Sequence, residues 1–378
     1  MSDFLDHLSA NDNDIYDLLL SGKQRLTEMV LHELARDRGI FYSVLDSREE
    51  LADHLSLLPH DFHDVSGIVQ RREPPHRREK TTSVRLNSEL SVEELRIAAE
   101  EYAKLAGATE KVTHRPKGTT GFVMNVTYDE FNHARTRLLQ RERHEAGIEF
   151  LVENGQTVIR RPATEKARRI ISALKENIEQ KRKAAIAEET IELVGLTTPE
   201  ARSKFFTRLI SSLDGYKLKN VMNLKVSSLH TEVNDDSELD IEDDEDGDAS
   251  KEMFAAFVHS MALSGQNLVQ SQEYKDLTKR GFFITAITWR SEQLSDPLDI
   301  IQFDAGFEDR KNGAGFKYSV QGAFRAHNGA HRKTIAHVDD LEKTKLFALL
   351  ESTARKVLSD LLTEVNDKLS PDAETEAE

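Results

Sequence analysis

FKYSVQGAFR, residues 316–325, is the stretch on which the fold turns. Phe316, Tyr318, Val320 and Phe324 alternate with Lys317, Ser319, Gln321 and Arg325. That two-residue period belongs to a strand with one face buried and the other wet. Asn312-Gly313-Ala314-Gly315 supplies a hairpin loop just before it, so a partner strand is expected over 299–307 and a third over 281–290. A closing helix carries Leu346, Leu350, Val357, Leu361 and Val365 on one stripe. An upstream helix with Met253, Phe254, Phe257 and Met261 is expected to stop at Gly265. The C-terminal part therefore reads as an antiparallel sheet covered by helices on one face.

Toward the N-terminus the periodicity changes. Residues 13–38 read as a single helix with Leu26, Met29, Val30 and Leu34 inward and Gly39 as its stop. A short helix follows over 48–58, and the arginine- and proline-bearing stretch 60–80 reads as a linker. Next, 82–86 alternates like a strand, and Ser91 with Glu94 forms a capping box that opens a helix. Strands are expected over 110–115 and 121–127. Thr127 with Glu130 repeats the capping-box spacing, so a second helix is expected through Glu145. Asn154-Gly155 then joins two strands as a tight hairpin. In order this is βαββαβ with one added strand, the ferredoxin-like arrangement. A basic helix over 163–187, a helix capped by Thr198 and Pro199, and a strand over 221–226 follow.

The expected fold class is thus α+β, with a helical N-terminal segment, a ferredoxin-like (βαββαβ) middle unit and a C-terminal antiparallel sheet with packed helices. The corresponding segments are 1–70 helical, 71–80 basic linker, 81–162 ferredoxin-like, and 163–230 basic helix with connecting helix and strand. They continue with 231–250 as a disordered acidic loop, 251–366 as the C-terminal α+β unit and 367–378 as an acidic tail.

The net charge of −16 is unevenly spread. Residues 232–248 hold eleven acids and no base, and 371–378 hold four more acids, so the rest of the chain is close to neutral. Overall acidity therefore does not argue against a nucleic-acid partner, because patches decide that question. Zero cysteines exclude disulfides, thiolate metal sites and cysteine nucleophiles. No apolar run reaches the roughly 18 residues of a membrane span. The acidic start lacks the features of an export signal, so a cytoplasmic protein without membrane attachment is expected.

Catalytic signatures are scarce. Ser21-Gly22-Lys23-Gln24 lacks the remaining residues of a phosphate loop. In the acidic segment, aligning Gly247 with a calcium loop puts Met253 where a glutamate is required. Three clusters could carry chemistry. His60, His63 and Asp64 have metal-ligand character, against a plain polar helix start. His327, His331 and His337 with Asp339 and Asp340 could complete a zinc site, against ordinary surface histidines. Asp299, Asp304, Glu308, Asp309 and Lys311 form a nuclease-like set that would bind a divalent cation, against charges at a hairpin end. No cofactor is expected otherwise.

Basic residues are the most suggestive feature. Between 157 and 183 there are nine bases and three acids. Arg135, Arg141, Arg161, Arg168, Arg169, Lys175 and Arg182 are the expected phosphate contacts, and four of them (Arg161, Arg168, Lys175, Arg182) recur every seven residues. A solvated helical face is the competing account. Without interleaved aromatics, duplex backbone or an acidic partner suits this set better than a stacking platform for single strands. The expectation is a non-catalytic, nucleic-acid-associated subunit of a larger assembly, with a protein partner and room for a homo-oligomer. A metal-dependent nuclease or hydrolase using the C-terminal carboxylates and a protein-interaction scaffold without nucleic-acid contact are the alternatives. If the acidic segment competes for the basic face, deleting 232–248 tightens nucleic-acid binding in a titration. Unchanged affinity removes the idea.

Overall fold

The computed structural model describes residues 9–72, 79–107, 109–118, 121–153, 155–228, 260–264, 272–327 and 329–369. In chain order the first elements are α1 (Asp12–Ser21), α2 (Glu28–Arg36), α3 (Arg48–Ser56), α4 (Phe62–Arg72) and β1 (Thr81–Leu86). Next come α5 (Val92–Ala106), β2 (Glu110–Lys117), β3 (Gly121–Phe131), β4 (Arg141–Glu153), β5 (Gln156–Pro162) and α6 (Glu165–Arg182). They are followed by β6 (Glu188–Glu189), α7 (Pro199–Ser211), β7 (Tyr216–Ser228), β8 (Ser260–Ser264) and α8 (Gln272–Lys279). The last are β9 (Phe282–Gln293), β10 (Ile300–Asp309), β11 (Ala314–Phe324), β12 (Ala326–His327), β13 (Ala330–His331) and α9 (Asp340–Leu369). Mixed helix and antiparallel sheet make the chain α+β.

Contacts divide it into two units. One comprises residues 1–79, 91–148 and 169–178, and the other 80–90, 149–168 and 179–378.

In the first unit, α1 to α4 enclose Ile15, Leu18, Leu19, Leu26, Leu31, Leu51, Leu55 and Ile68. Here 13–38 is two helices rather than one, and Met29, expected inward, is 71% exposed. The linker expectation also fails over 62–72, which forms α4. Asp61 and Asp64 exchange side-chain and backbone hydrogen bonds at its start, satisfying donors that helix ends leave orphaned. Arg137 pairs with Asp14 and holds that carboxyl below its usual range.

The second expected helix of the ferredoxin-like unit is absent. β3 runs on to Phe131, a short 3-10 turn follows at Arg137–Leu139, and β4 begins at Arg141. Thr127 and Glu130, spaced like a capping box, both lie within β3. Cross-strand partners override the local helix signal: Arg141 and Arg143 both pair with Asp129, and Tyr128 stacks on His144 with ring centroids 5.7 Å apart. The order β1-α5-β2-β3-β4-β5 is therefore not the ferredoxin-like one.

The second unit takes in the remainder of β4. Its strands run β5-β1-β11-β10-β9-β7-β8, with β6 paired to β1. Met261, expected on a helix, lies in β8 opposite Val226, and residues 251–259 are outside the described set. One sheet face packs against α7 and α9 through Phe205, Phe206, Trp289, Phe303, Tyr318 and Leu350. Each such large apolar side chain contributes roughly 1.5–3 kcal/mol on burial. Across β7, β9 and β10 the other face carries polar side chains: Asn220 opposes Arg290 on β9, Arg290 opposes Gln302, and Thr288 opposes Asp304.

Within the packed side, Arg160 on β5 forms a two-pronged ion pair with Glu351 on α9, at 2.7 and 3.0 Å. Arg160 is 2% exposed and Glu351 3%. The Tyr318 hydroxyl also donates to Glu351, and its burial there pushes its pKa well up. Removing one partner strands a buried charge, which costs about 3–5 kcal/mol. Glu351→Gln should therefore lower unfolding stability on that scale, read from the fluorescence of Trp289, the sole tryptophan. The double replacement Arg160→Met, Glu351→Leu should recover much of the loss.

Candidate functional site

The structure gives the basic residues singled out in the sequence internal partners. Arg161 sits on β5, before the Thr164 cap of α6, so it is not part of a helical stripe. It is 8% exposed, donates to the carbonyls of Pro162 and Thr164, and has its pKa pushed down by burial. Arg168 pairs with Glu165 at 3.0 Å and Glu308 at 2.7 Å. Arg182 donates to Ser88 and to the Glu89 carbonyl. Arg135 pairs with Glu142 at 3.0 Å and Arg141 with Asp129. Arg169 is exposed and Lys175 half-buried on α6.

The acidic and histidine clusters likewise separate. Asp299 is 2% exposed and accepts from Arg325 and from the backbone of Ala326. Asp304 pairs with Lys80 and accepts from Thr288. Asp309 accepts from the backbone of Asn312 in the hairpin turn that also holds Lys311, while Glu308 is taken by Arg168. Asp64 pairs with Arg38, whose guanidinium also contacts His60, and burial lowers the His60 pKa. His63 is exposed beside Phe62. His327 and His331 belong to the β12–β13 hairpin, and His337, Asp339 and Asp340 follow it. Among the described residues no three His, Asp or Glu side chains converge as metal ligands.

A different set does converge. On the polar side of the second unit an open cleft of about 330 Å³ is lined by Lys219, Asn220, Arg290, Ile300, Phe324, His331, Arg332 and Lys333. β-Bulges build it. In β11 the register shifts by one between Val320 and Gly322, so Gln321 is an extra residue. A single insertion reverses which side chains face the core. Ala323 is then fully buried in the core, and Phe324, expected on the apolar face, leaves it for the polar side beside Ile300. Gly322 permits the bend, since a side chain there would meet the Ala336 carbonyl. In β7 a second shift falls at Lys219, between Leu218 and Asn220.

Arg290 lies over the Phe324 ring, 4.3 Å from its centroid, a favourable cation–π distance. Its Nε donates to Gln302 at 2.8 Å. Lys219 lies 3.4 Å from Glu292. His331 donates from Nε2 to the Leu298 carbonyl at 2.9 Å, which fixes the proton on that nitrogen, and Glu292 stands 3.6 Å away. Arg332 and Lys333 are exposed, and among the described residues neither side chain forms an ion pair. Four permanent cations thus face one concavity with Glu292 as the nearby carboxylate, a field that gathers anions. Guanidinium forks and an ammonium suit phosphate oxygens.

Sequence reading missed Lys219, Asn220, Arg290, Phe324, Arg332 and Lys333 as a group, because four separate segments supply them. The available signal was His331-Arg332-Lys333, three cation-forming residues after a strand, weighed only for its histidine. No protein-family model matches this chain, and no curated protein matches it.

Proposed function

We propose that this protein is a non-catalytic, nucleic-acid-associated component of a larger assembly, holding phosphate groups in the basic cleft of its second unit. The observation that carries this reading is the convergence of Lys219, Arg290, Arg332 and Lys333 on one concavity, with Arg332 and Lys333 lacking carboxylate partners among the described residues. Charge that finds no internal partner remains available to an external anion. Phosphate contacts of this kind position a nucleic acid and do not read its sequence. The exposed arginines of α6 are secondary in this account, because Arg168 is engaged by two glutamates.

The reading predicts binding to nucleic acid that weakens steeply as salt rises. Arg332→Glu with Lys333→Glu should weaken it at least tenfold and reduce the salt slope by about two. Arg168→Glu with Arg169→Glu should cost much less. A fluorescence-anisotropy titration at several salt concentrations, with and without magnesium, decides this. Loss confined to the α6 variant would move the interface to that helix, and magnesium-dependent cleavage would contradict the non-catalytic assignment. No binding at low salt would leave a protein-interaction scaffold instead.

A further inference from the structure

Resting on that reading, we infer that the cleft takes one unstacked nucleotide of a single strand, its base lying on the Arg290–Phe324 stack and its phosphate held by Arg332 and Lys333.

Size is the first reason. A concavity of about 330 Å³ sits at the small end of ligand pockets, which span roughly 300–1,000 Å³. That volume suits one nucleotide. A duplex keeps its bases stacked inside and offers a cleft of this size only phosphates at the rim.

The second reason is the aromatic. Phe324 would serve the core on the apolar face, yet the bulge at Gln321 delivers it to the polar side. There its ring lies under the Arg290 guanidinium, 4.3 Å from centroid to Cζ. Unstacked bases are held on aromatic rings and on arginine planes in single-strand recognition. Gln302 engages only Nε of Arg290, and among the described residues the terminal amino groups make no hydrogen bond. They remain available to a base edge or a phosphate oxygen.

The third reason is the pairing of groups. Arg332 and Lys333, both exposed, follow β13, while the contacting Arg290 and Phe324 come from β9 and β11. A nucleotide likewise joins a flat ring to an anion. Inorganic phosphate would use only half the site.

The test is anisotropy with a short labelled single strand and with its duplex, using the full chain, Arg290→Lys and Phe324→Leu. Arg290→Lys keeps the charge and removes the plane. Trp289 fluorescence, one residue from Arg290, checks that each variant is folded. The single strand should bind about tenfold more tightly than the duplex. Each variant should lose about tenfold on the single strand, the scale of a lost base stack, and distinctly less on the duplex. A nucleoside monophosphate should compete where the same concentration of inorganic phosphate does not. Equal affinity for strand and duplex, with both variants silent, overturns this inference. If Arg332→Glu with Lys333→Glu still abolishes binding in that case, the phosphate reading stands without it. No binding of either nucleic acid overturns both.

Discussion

The buried pair between Arg160 and Glu351 is the constraint around which the second unit is organised. Both charges are withdrawn from water, and each guanidinium–carboxylate contact has a single geometry that satisfies it. Meeting it fixes α9 against β5, and the Tyr318 hydroxyl fixes the same carboxylate against β11. α9 and α7 then close the apolar face of the sheet, leaving the opposite face to polar side chains. The cleft is a consequence of that sidedness. It can form only where helices do not cover the strands.

Bulges convert a sided sheet into a site. A regular β11 would send Phe324 into the apolar layer, away from Arg290. One extra residue at Gln321 reverses the last turn of the pleat, puts Ala323 in the core and brings Phe324 under the guanidinium. The bulge at Lys219 does the corresponding work on β7, where Asn220 faces Arg290 across the ladder. The energetic cost of each disrupted ladder position falls beside the concavity, where irregular strands are commonly found.

Much of this architecture was legible from residue patterns, and the failures are instructive. Alternation in 281–325 gave the three C-terminal strands, and the Ser91–Glu94 box and the Thr198-Pro199 start mark real helix ends. Residues 127–145 misled because leucine, glutamine, arginine and glutamate favour helix locally, while the fold pairs Asp129 with Arg141 and Arg143 across strands. The arginines of 157–183 were visible but their partners were not: Glu308 lies 140 positions from Arg168. The cleft was hidden for the same reason. Its side chains meet through strand register, and the bulge that exposes Phe324 looks in sequence like uninterrupted alternation.

Photo-crosslinking bears most directly on the claim that this cleft is where nucleic acid meets the protein. A short oligonucleotide carrying photoreactive bases would be irradiated with the full chain, and the attached peptides identified by mass spectrometry. The account predicts adducts on the peptides holding Lys219–Asn220, Arg290, Phe324 and Arg332–Lys333. Adducts concentrated on 161–182, or on the four N-terminal helices, would contradict it.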